Sequence, residues 1–453
     1  MRASVDIGHV IDAGGWSGYQ KWIVCLTALT IVFDGIDNQL LGVSIPTLMR
    51  EWGVPRTAFA PVVSFGYAGM MLGGAVAGLA GDRWGRRVAL VASMVVFGLM
   101  TLVTPLAHGT AALGLLRFLA GLGLGGAMPN AAALAAEFVP VRQRPIAVTV
   151  TIVCVPLGAT LAGLVGVRLL PSLGWRTLFV LGGAIPLVAA AVLPLLLPES
   201  PRFLARRPQR WPELIRTLGR MGRTLPADTR FEDASERSAA RVSVAALFAP
   251  AFRADTIPLW GAFFCCLLAV YLAFSWLTSL LTGAGFDPGT ANTGITAFNL
   301  GGVAGALAGG WAITRWGSRP AMLVMAAVAI GGALWLSAAS IAVTSPLGPI
   351  IALLAITGAM INGVQTTMFA LAAHVYPTAV RATGVGTAVS FGRTGAILSG
   401  YVGAGALEHG YTTFFRVIAL AMGLAFVSLA AVRKHVPGTP GMRGTTGTTG
   451  TGS

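Results

Sequence analysis

Charged residues are scarce in this chain, and their scarcity excludes most classes of protein. Asp, Glu, Lys and Arg together make up 10% of the 453 residues, whereas soluble domains average about 25%. Hydrophobic residues account for 55%, and the mean hydropathy is +0.76. An ordinary soluble domain does not carry so much apolar material, so the composition predicts a protein with many membrane-spanning segments.

Cysteine, histidine and nucleotide-binding motifs are also few. The five histidines are scattered, and the four cysteines lie in apolar segments without CxxC spacing. These patterns argue against disulfides, zinc sites and an assembled catalytic triad. The GxGxxG match at 121–126 lies inside an apolar segment with no preceding strand, and we find no Walker motif. We therefore expect no enzyme activity, no metal and no cofactor.

Twelve apolar segments are long enough to cross a membrane, because about 30 Å of hydrocarbon requires roughly 20 helical residues. Residues 1–20 lack the basic region and cleavage site of a signal peptide, so the first segment is expected to remain in the mature protein. The predicted spans are about 22–46, 58–81, 88–107, 111–137, 146–170, 174–197, 256–281, 290–313, 320–343, 347–373, 382–406 and 412–432.

The placement of the basic residues predicts an orientation. With both termini in the cytoplasm, 24 of the 31 Lys and Arg lie on the cytoplasmic side, 5 on the opposite side and 2, Arg117 and Arg393, within spans. Cytoplasmic loops are enriched in Lys and Arg. We therefore predict a multi-pass protein of the cell inner membrane with cytoplasmic termini. Topology accounts for the net charge of +15, so lipid is an expected partner and nucleic acid is not.

A polar stretch divides the chain into two halves. Residues 199–255 contain 11 Arg and 7 acidic residues, and we interpret them as a solvated cytoplasmic linker, although their basic face could also touch anionic headgroups. The predicted domains on either side are an N-terminal half, 1–198, and a C-terminal half, 256–432. Residues 433–453 end in GTTGTTGTGS and are predicted to be a disordered cytoplasmic tail.

The two halves repeat each other in sequence. Two parallel six-helix repeats predict an all-α membrane protein with pseudo-symmetric halves around a central cavity, as in transporters. Glycines in the pattern GxxxG are expected to let the helices approach closely. At an offset of 232 residues, Leu48, Gly69, Gly73, Arg83, Trp84, Gly85 and Arg87 match Leu280, Gly301, Gly305, Arg315, Trp316, Gly317 and Arg319. At an offset of 237, Pro140, Arg144, Gly158 and Gly163 match Pro377, Arg381, Gly395 and Gly400.

The stretch GLAGDRWGRR, residues 78–87, resembles the loop between the second and third spans of the major facilitator superfamily. The second half carries a degraded copy, GWAITRWGSR, at 310–319, and PESPRFL follows the sixth span. An acid at a helix end beside several arginines would form a charged latch between helices. The predicted latch residues here are Asp82, Arg83, Gly85, Arg86 and Arg87, with Arg315 in the second copy.

Within that superfamily, several stretches are similar to the aromatic acid:H⁺ symporter family. They include FDGIDNQLLG in the first span, RFLAGLGLGGAMPN in the fourth and GWRTLFVLGG opening the sixth. The resemblance implies the twelve-helix facilitator fold and inward transport of a benzoate-like or hydroxybenzoate-like carboxylate with H⁺. The proton gradient would supply the energy, no cofactor would be needed, and we expect a monomer that works by alternating access.

Two carboxylates, Asp34 and Asp37, interrupt the first apolar span. By the repeat offset they correspond to Cys266 and Ala269, so they belong to one half only. Burial and mutual repulsion both favour protonation of one of the pair, and an intramembrane acid is expensive unless it faces a cavity or a partner. We predict that they form the proton-coupling site. The alternative is a structural pair that is hydrogen-bonded to its neighbours.

Two arginines within spans are candidates for the substrate carboxylate. Arg393 corresponds to Pro156 in the first half, and a guanidinium stays charged and binds carboxylates bidentately. Its alternative role is a salt bridge to Asp34 or another acid. Arg117 could bind substrate or pair locally, and the sequence does not distinguish these roles.

The remaining predicted site residues are of two kinds. Ring-bearing and amide side chains in the spans could contact substrate, namely Asn38, Tyr271, Phe274, Asn299, Asn362 and Gln365. Residues beside the Pro140 and Pro377 turns could form further gate latches, namely Glu137 with Arg144 and His374 with Arg381.

Four other functions compete with aromatic acid symport. A symporter of another small organic acid would share the fold and the arginine. Drug/H⁺ antiporters typically carry GPxxGG in the fifth span, which reads VPLGATLAGLVG here. Sugar porters end near a PETKG-like motif, where this chain has RKHVPGTPG. A membrane sensor on the same fold would usually add a signalling domain, for which the linker is short.

Overall fold

The structure, a computed structural model, describes residues 4–233, 243–339, 341 and 346–438, apart from the side chains of residues 378, 379 and 382. Long helices dominate it, and each predicted span corresponds to one of them. In chain order they are α1 Gly18–Trp52, α2 Ala60–Trp84, α3 Arg86–Val103, α4 Thr110–Phe138, a bent helix Arg144–Leu196 with arms α5 (144–173) and α6 (175–196), α7 Arg253–Gly283, α8 Pro288–Trp316, α9 Ser318–Ala338, α10 Leu347–Val375, α11 Thr378–Glu408 and α12 Tyr411–Ala431. The end of the predicted span 320–343 lies outside the described residues.

Gly174 turns one continuous helix into two membrane crossings. Its φ of 74° lies in the left-handed region, which side-chain-bearing residues rarely adopt. Nine helices in the described ranges are long and apolar enough to span a membrane, and the bent helix counts once among them. The other two long helices, α8 and α11, are rich in Gly and Thr, which lowers their hydropathy. When the two arms of the bent helix are counted separately, the chain crosses the membrane twelve times.

The repeated glycines pack equivalent helices in the two halves. A Cβ atom at Gly73 of α2 would lie 2.0 Å from the Leu122 carbonyl oxygen of α4, and one at Gly305 of α8 would lie 1.8 Å from the Ala359 carbonyl oxygen of α10. Such distances require glycine, because no side chain fits between the backbones. The α2–α4 and α8–α10 contacts therefore have the same construction, and the predicted pseudo-symmetric halves are confirmed.

Both ends of the described chain lie at one membrane face, here called the linker face because residues 197–252 join α6 to α7 there. At the opposite face the two halves are bound together. Arg56, which precedes α2, donates to the Ser279 carbonyl of α7 at 3.2 Å and to the Leu407 carbonyl of α11 at 3.4 Å. Nearby, Ser64 of α2 donates to the Ile397 carbonyl of α11 at 2.7 Å. These contacts close the opposite face between the halves.

The described part of the linker, interpreted from the sequence as a solvated connector, contains folded elements. It forms the short helices Pro201–Ala205 and Trp211–Arg220, and its strand Phe231–Glu232 pairs in parallel with the N-terminal strand Val5–Asp6. Apolar side chains dock this unit on the first half, because their burial removes hydrocarbon from water. The fully buried ones are Ile7, Ile11, Leu204, Leu214 and Leu218.

The segment after α12 is also ordered by specific contacts. The Asp255 carboxylate, at the start of α7, accepts from the Arg433 amide at 2.7 Å. Ser318, which begins α9, donates its amide to the Val436 carbonyl at 2.9 Å and accepts from the Val436 amide at 2.9 Å. The disordered tail predicted for 433–453 is therefore wrong for 433–438, and the rest of it lies outside the described residues.

Candidate functional site

A narrow cavity lies at the centre of the molecule, where helices of both halves meet. About 40 Å³ of it is accessible to the centres of water molecules. That is room for a few waters and far below the ~150 Å³ of an apolar cavity that binds benzene. A ring-bearing ligand therefore requires the walls to move apart. The lining residues are Asp34, Asn38, Met70, Leu124, Met128, Ile152, Val155, Pro156, Tyr271, Phe274, Asn362, Gln365, Thr366 and Arg393.

Asp34 of α1 brings into this cavity a carboxyl group that forms no ion pair with a described residue. Its side chain is 2% exposed, and within the described part of the chain its Oδ1 atom has no hydrogen-bond partner. A buried ionised carboxylate without a partner is costly, and the neutral protonated form is less so. The group is therefore placed to gain or lose a proton when water reaches the cavity.

Arg393 of α11 faces the same cavity from the other half. Its Nη1 atom donates to the Met70 carbonyl of α2, and Gly74 leaves room for it, since a Cβ atom there would lie 2.7 Å from Nη1. The guanidinium has five N–H donors, so others stay available for a ligand carboxylate. Arg393 forms no ion pair with any described residue. The alternative salt bridge to Asp34 is not formed in this conformation.

Asp37 of α1 has a different environment, although it lies only three residues from Asp34. Its Oδ2 atom accepts from Arg117 Nη1 of α4 at 3.1 Å, and its Oδ1 atom accepts from the Thr101 hydroxyl of α3. Arg117 Nη2 donates to the Thr101 and Thr104 hydroxyls at 3.0 and 3.2 Å. This network compensates both buried charges. Of the two roles left open for Arg117, local pairing is the one observed.

A second small cavity adjoins the first and ends on this network. It shares Asn38, Met70 and Leu124 with the central cavity, and its own lining includes Asp37 and Arg117. The two carboxylates therefore lie in neighbouring spaces along α1 and do not share one site.

Aromatic rings form one wall of the central cavity. The Tyr271 and Phe274 rings of α7 lie 5.8 Å apart in an edge-to-face arrangement, and Tyr67 of α2 lies 4.4 Å from Tyr271. The Tyr67 hydroxyl shares a hydrogen bond of 2.9 Å with Ser275. Planar, apolar faces beside a guanidinium can accommodate an aromatic ring that bears a carboxylate.

Of the four amide side chains predicted to contact substrate, three line the central cavity and one does not. Asn38, Asn362 and Gln365 line the central cavity. Asn299 of α8 lines neither of the two small cavities, because its Nδ2 atom donates to Gln39 Oε1 of α1 at 3.1 Å. Gln39 in turn donates to the Phe274 carbonyl at 3.0 Å. Asn299 thus joins the two halves beside the cavity and does not face a ligand there.

The predicted latch of the first half lies at the linker face, at the turn between α2 and α3. Asp82 pairs with Arg86 at 2.5 Å. Glu199, which follows α6, accepts from the Arg87 amide at 3.0 Å. Gly85, between the two helices, has a φ of 108°, and a Cβ atom there would lie 2.2 Å from Glu199 Oε2. The backbone conformation and the close carboxylate both require glycine.

Three further contacts complete this latch. Arg87 Nη1 donates to the Pro194 and Leu197 carbonyls, each at 3.3 Å. The Arg83 carbonyl accepts from Arg207 of the linker at 2.6 Å. The turn is thereby attached to the end of α6 and to the folded linker.

Glu137 and Arg144, predicted as a gate latch, both lie at the linker face but form no ion pair with each other in this conformation. Glu137 of α4 contacts Arg86 at 3.6 Å and accepts from the Ser200 hydroxyl. Arg144 reaches Asp12 of the N-terminal segment at 4.0 Å. Glu137 therefore connects α4 to the α2–α3 turn, because Arg86 lies nearer than the arginine beyond the proline turn.

The second half has no charged latch of the same kind among the described residues. His374 of α10 is exposed, and Arg381 Nε donates to the Tyr376 carbonyl at 3.3 Å, so the predicted pairing of these two is not formed. Arg315 is exposed and forms no ion pair with a described residue. The replacement of Asp82 by Thr314 and of Arg86 by Ser318 in the second copy explains the absence, because both members of the ion pair are lost.

Sequence reasoning missed the two threonines of the Asp37 network. The signal was available, because at the repeat offset Thr101 and Thr104 correspond to Ala333 and Leu336. They are polar in one half only, as Asp34 and Asp37 are. The Met70 carbonyl had no such signal, since any residue supplies a carbonyl.

Two six-helix repeats around a cavity at mid-membrane define a membrane transporter. Residues 27–347 and 259–448 match the Major Facilitator Superfamily. The chain therefore belongs to the Major Facilitator Superfamily, whose members are transporters and not enzymes.

Curated relatives match nearly the whole chain. It is 35% identical over 410 residues to the gallate transporter of Pseudomonas putida, covering 90% of each chain. It is 36% identical over 432 residues to the 4-hydroxybenzoate transporter PcaK of Pseudomonas aeruginosa, covering 95% of this chain and 96% of that one. Among solved structures, the xylose transporter XylE from E. coli, in a partially occluded inward-open conformation, superposes with a TM-score of 0.69. The superposition covers 91% of this chain and 97% of the xylose transporter at 15% sequence identity, which shows that the two proteins share a fold.

Proposed function

We propose that this protein is a proton-coupled symporter that takes up a small aromatic carboxylate by alternating access. One observation carries the proposal. A buried carboxyl group, Asp34, and a partly buried guanidinium, Arg393, face the same cavity without forming an ion pair, beside the Tyr271 and Phe274 rings. The transport of gallate and 4-hydroxybenzoate by the relatives supports this substrate class.

The charges in the cavity suggest how proton and substrate are coupled. With Asp34 ionised and Arg393 charged, the empty cavity is neutral. With Asp34 protonated and a carboxylate on Arg393, the loaded cavity is neutral again. Either ligand alone leaves one net charge, which costs about 2.5–3.5 kcal/mol at mid-membrane. Closure with one ligand would therefore be roughly 100-fold less populated, and the two ligands move together.

The other predicted residues receive supporting roles in this scheme. Asp37 and Arg117 neutralise each other, and we assign them the role of holding α1 against α3 and α4 so that Asp34 faces the cavity. Asn38, Asn362 and Gln365 offer hydrogen bonds to ring substituents. The residues of the turn around Gly85 act as a latch at the linker face.

The orientation follows from the charge distribution. We propose that the linker face is cytoplasmic and that the protein lies in the cell inner membrane, because most arginines outside the helices lie at that face. Arg56 and its carbonyl partners then close the periplasmic side. We further propose that the monomer is the transporting unit, since one chain contains the whole cavity.

Uptake into proteoliposomes tests the proposal directly. The purified protein is reconstituted, an inside-alkaline pH gradient is imposed, and accumulation of labelled 4-hydroxybenzoate, gallate, benzoate, acetate and xylose is measured with and without an uncoupler. We expect uncoupler-sensitive accumulation of the aromatic acids only. Accumulation of xylose would overturn the proposal, and so would aromatic acid uptake that does not depend on the pH gradient.

Asp34→Asn separates coupling from binding. The variant keeps a neutral loaded cavity but gives an empty cavity with one net positive charge. It should therefore exchange internal for external substrate while losing gradient-driven accumulation. Asp34→Glu retains a titratable carboxyl group and serves as the matched control. Full accumulation by Asp34→Asn would remove Asp34 from the coupling mechanism.

A further inference from the structure

An apolar groove of about 630 Å³ opens on the lipid-facing surface of the second half, between α8, α9 and α10. Its floor is formed by small residues of α8, among them Ala308, Gly309 and Ala312. The groove extends from Gly305 to Trp316, which is about 16 Å along the helix. That length is roughly half of the ~30 Å hydrocarbon thickness, so the groove matches an acyl chain of the leaflet at the linker face.

The end of the groove at the linker face has a polar, basic rim. Trp311 and Trp316 line this end, are 60% and 59% exposed, and pack edge to face at 5.1 Å. Exposed tryptophans are typical of the membrane–water interface. Arg315 and Arg319 are neighbours in sequence of the lining residues Trp316 and Pro320, and both are exposed.

The positive charge at this rim is not compensated locally. Among the described residues, neither arginine has a carboxylate partner, and Arg319 makes a single hydrogen bond of 3.4 Å to the Ala430 carbonyl. The acid nearby in the second half, Asp255, is occupied by the Arg433 and Lys434 amides. Two guanidinium groups at the depth of the headgroups attract phosphate.

The first half shows what the second copy has lost. There Asp82 pairs with Arg86, and Arg87 is bound to carbonyls after α6. The corresponding acid position in the second half is Thr314. Arg86 corresponds to Ser318, so both members of that ion pair are replaced, whereas Arg315 and Arg319 correspond to Arg83 and Arg87 and remain exposed at the rim.

We propose that this groove is a binding site for one anionic glycerophospholipid. An acyl chain fills the groove between α8 and α9, Trp311 and Trp316 flank the glycerol region, and Arg315 and Arg319 bind the phosphate. The selectivity for an anionic headgroup comes from the two arginines, because the groove itself would accept any acyl chain. The site is independent of the central cavity and of the proposed substrate.

Quenching of tryptophan fluorescence by lipids brominated on the acyl chain tests the site. The full chain is reconstituted in phosphatidylcholine vesicles that contain brominated phosphatidylglycerol or, in parallel, brominated phosphatidylcholine. For the wild-type protein we expect a quenching component that is selective for phosphatidylglycerol. It should disappear in Trp311→Phe/Trp316→Phe, which would place the lipid at this groove. Equal quenching by the two lipids would overturn the proposal.

Two variants test the parts of the site separately. Each arginine near a headgroup contributes about 5-fold to anionic lipid binding, so Arg315→Gln/Arg319→Gln should weaken the relative affinity for phosphatidylglycerol by about 25-fold. Ala308→Leu should fill the groove and thereby also reduce the quenching by brominated phosphatidylglycerol. If the preference survives the double arginine variant, the basic rim is not the headgroup site.

The chain offers matched controls for both variants. Arg216→Gln/Arg220→Gln removes two exposed charges from the linker helix and should leave the preference intact. A second lipid-facing groove, between α9 and α10, includes Gly331 and has no charged residue in the adjacent stretch 338–349. Nothing lies within 4 Å of a Cβ atom at Gly331, so Gly331→Leu fills that groove as a control. The measurement requires neither substrate nor pH gradient, so its outcome is separate from that of the transport test.

Discussion

The Arg117 guanidinium donates to the Asp37 carboxylate at 3.1 Å, and the two side chains are 5% and 0% exposed. Asp34, one helical turn earlier on the same helix, has no such partner among the described residues. One short sequence motif therefore supplies two carboxylates in different environments. Our proposal assigns helix packing to the paired one and proton exchange to the unpaired one.

The buried Asp37–Arg117 pair should be sensitive to the loss of one partner. Arg117→Met leaves a buried carboxylate uncompensated and is expected to lower the free energy of unfolding by about 3–5 kcal/mol. The double variant Asp37→Leu/Arg117→Met removes both charges and should recover most of that loss. Thermal unfolding in detergent measures both variants. Equal stability of the single and double variants would contradict the pairing.

Gly74→Ala should weaken substrate binding without unfolding the protein. Its Cβ atom would lie 2.7 Å from Arg393 Nη1, the flexible end of that side chain, and 3.2 Å from the Gly125 carbonyl oxygen, so the guanidinium must move away and the backbone of α4 need shift only by a few tenths of an ångström. We expect the apparent affinity for the aromatic acid to fall by about 10-fold, equivalent to ~1.4 kcal/mol. Gly78→Ala, one turn along the same helix, meets nothing within 4 Å and is the control. Equal affinities of the two variants would show that Arg393 does not bind substrate.

Gly85→Ala should destabilise the latch at the linker face. The substitution combines an unfavourable φ of 108° with a clash against Glu199 Oε2. The backbone strain alone costs about 1–3 kcal/mol. Gly410→Ala has a similar strain, at a φ of 93° and a ψ of 170°, with open space around it. Transport rates and melting temperatures of the two variants separate the effects, and a latch role requires Gly85→Ala to slow transport more than Gly410→Ala does.

The segment after α12 should loosen in mild acid. Burial lowers the pKa of His435 from its ordinary 6.5, and nearby Arg319 lowers it further, whereas the Val432 carbonyl and Asp255 oppose the shift. A lowered pKa means that the packed segment favours neutral His435. Its contribution to stability is complete above pH 6.5 and is lost as the pH falls through the lowered value.

Hydrogen exchange of residues 433–438, corrected for the intrinsic pH dependence, measures this effect. Neutral His435 accepts from the Ser318 hydroxyl through Nδ1 at 3.1 Å and donates to the Val432 carbonyl through Nε2 at 3.0 Å, and protonation removes the acceptor. Protection should therefore fall as the pH drops below 6.5 in the wild type and change less in His435→Gln. The same loss in both proteins would exclude His435 as its origin.

Particular residues show where sequence reasoning succeeded. The match of Gly69 and Gly73 with Gly301 and Gly305 predicted two equivalent helix contacts, and both are present. This prediction succeeds because a backbone contact at a glycine is specified locally: only one residue type fits. The twelve crossings were predictable for the same reason, since each span must be apolar by itself.

Other contacts could not be predicted because they join residues far apart in the chain. Arg144 pairs with Asp12 and not with Glu137. Asn299 contacts Gln39 and not the central cavity. For each of these side chains several partners satisfied the same sequence pattern, and the choice depends on distances of a few ångströms between packed helices.

The sequence by itself determined that this chain is a twelve-span repeat protein. It also determined that each intramembrane charge lacks a counterpart in the other half. Both follow from the order of the residues, because hydropathy and repeat register can be read from it directly. Only the tertiary structure decided that Asp37 is neutralised by Arg117 while Asp34 and Arg393 face the same cavity unpaired. Charges buried in hydrocarbon are governed by their nearest partners, and those partners are brought together by helix packing.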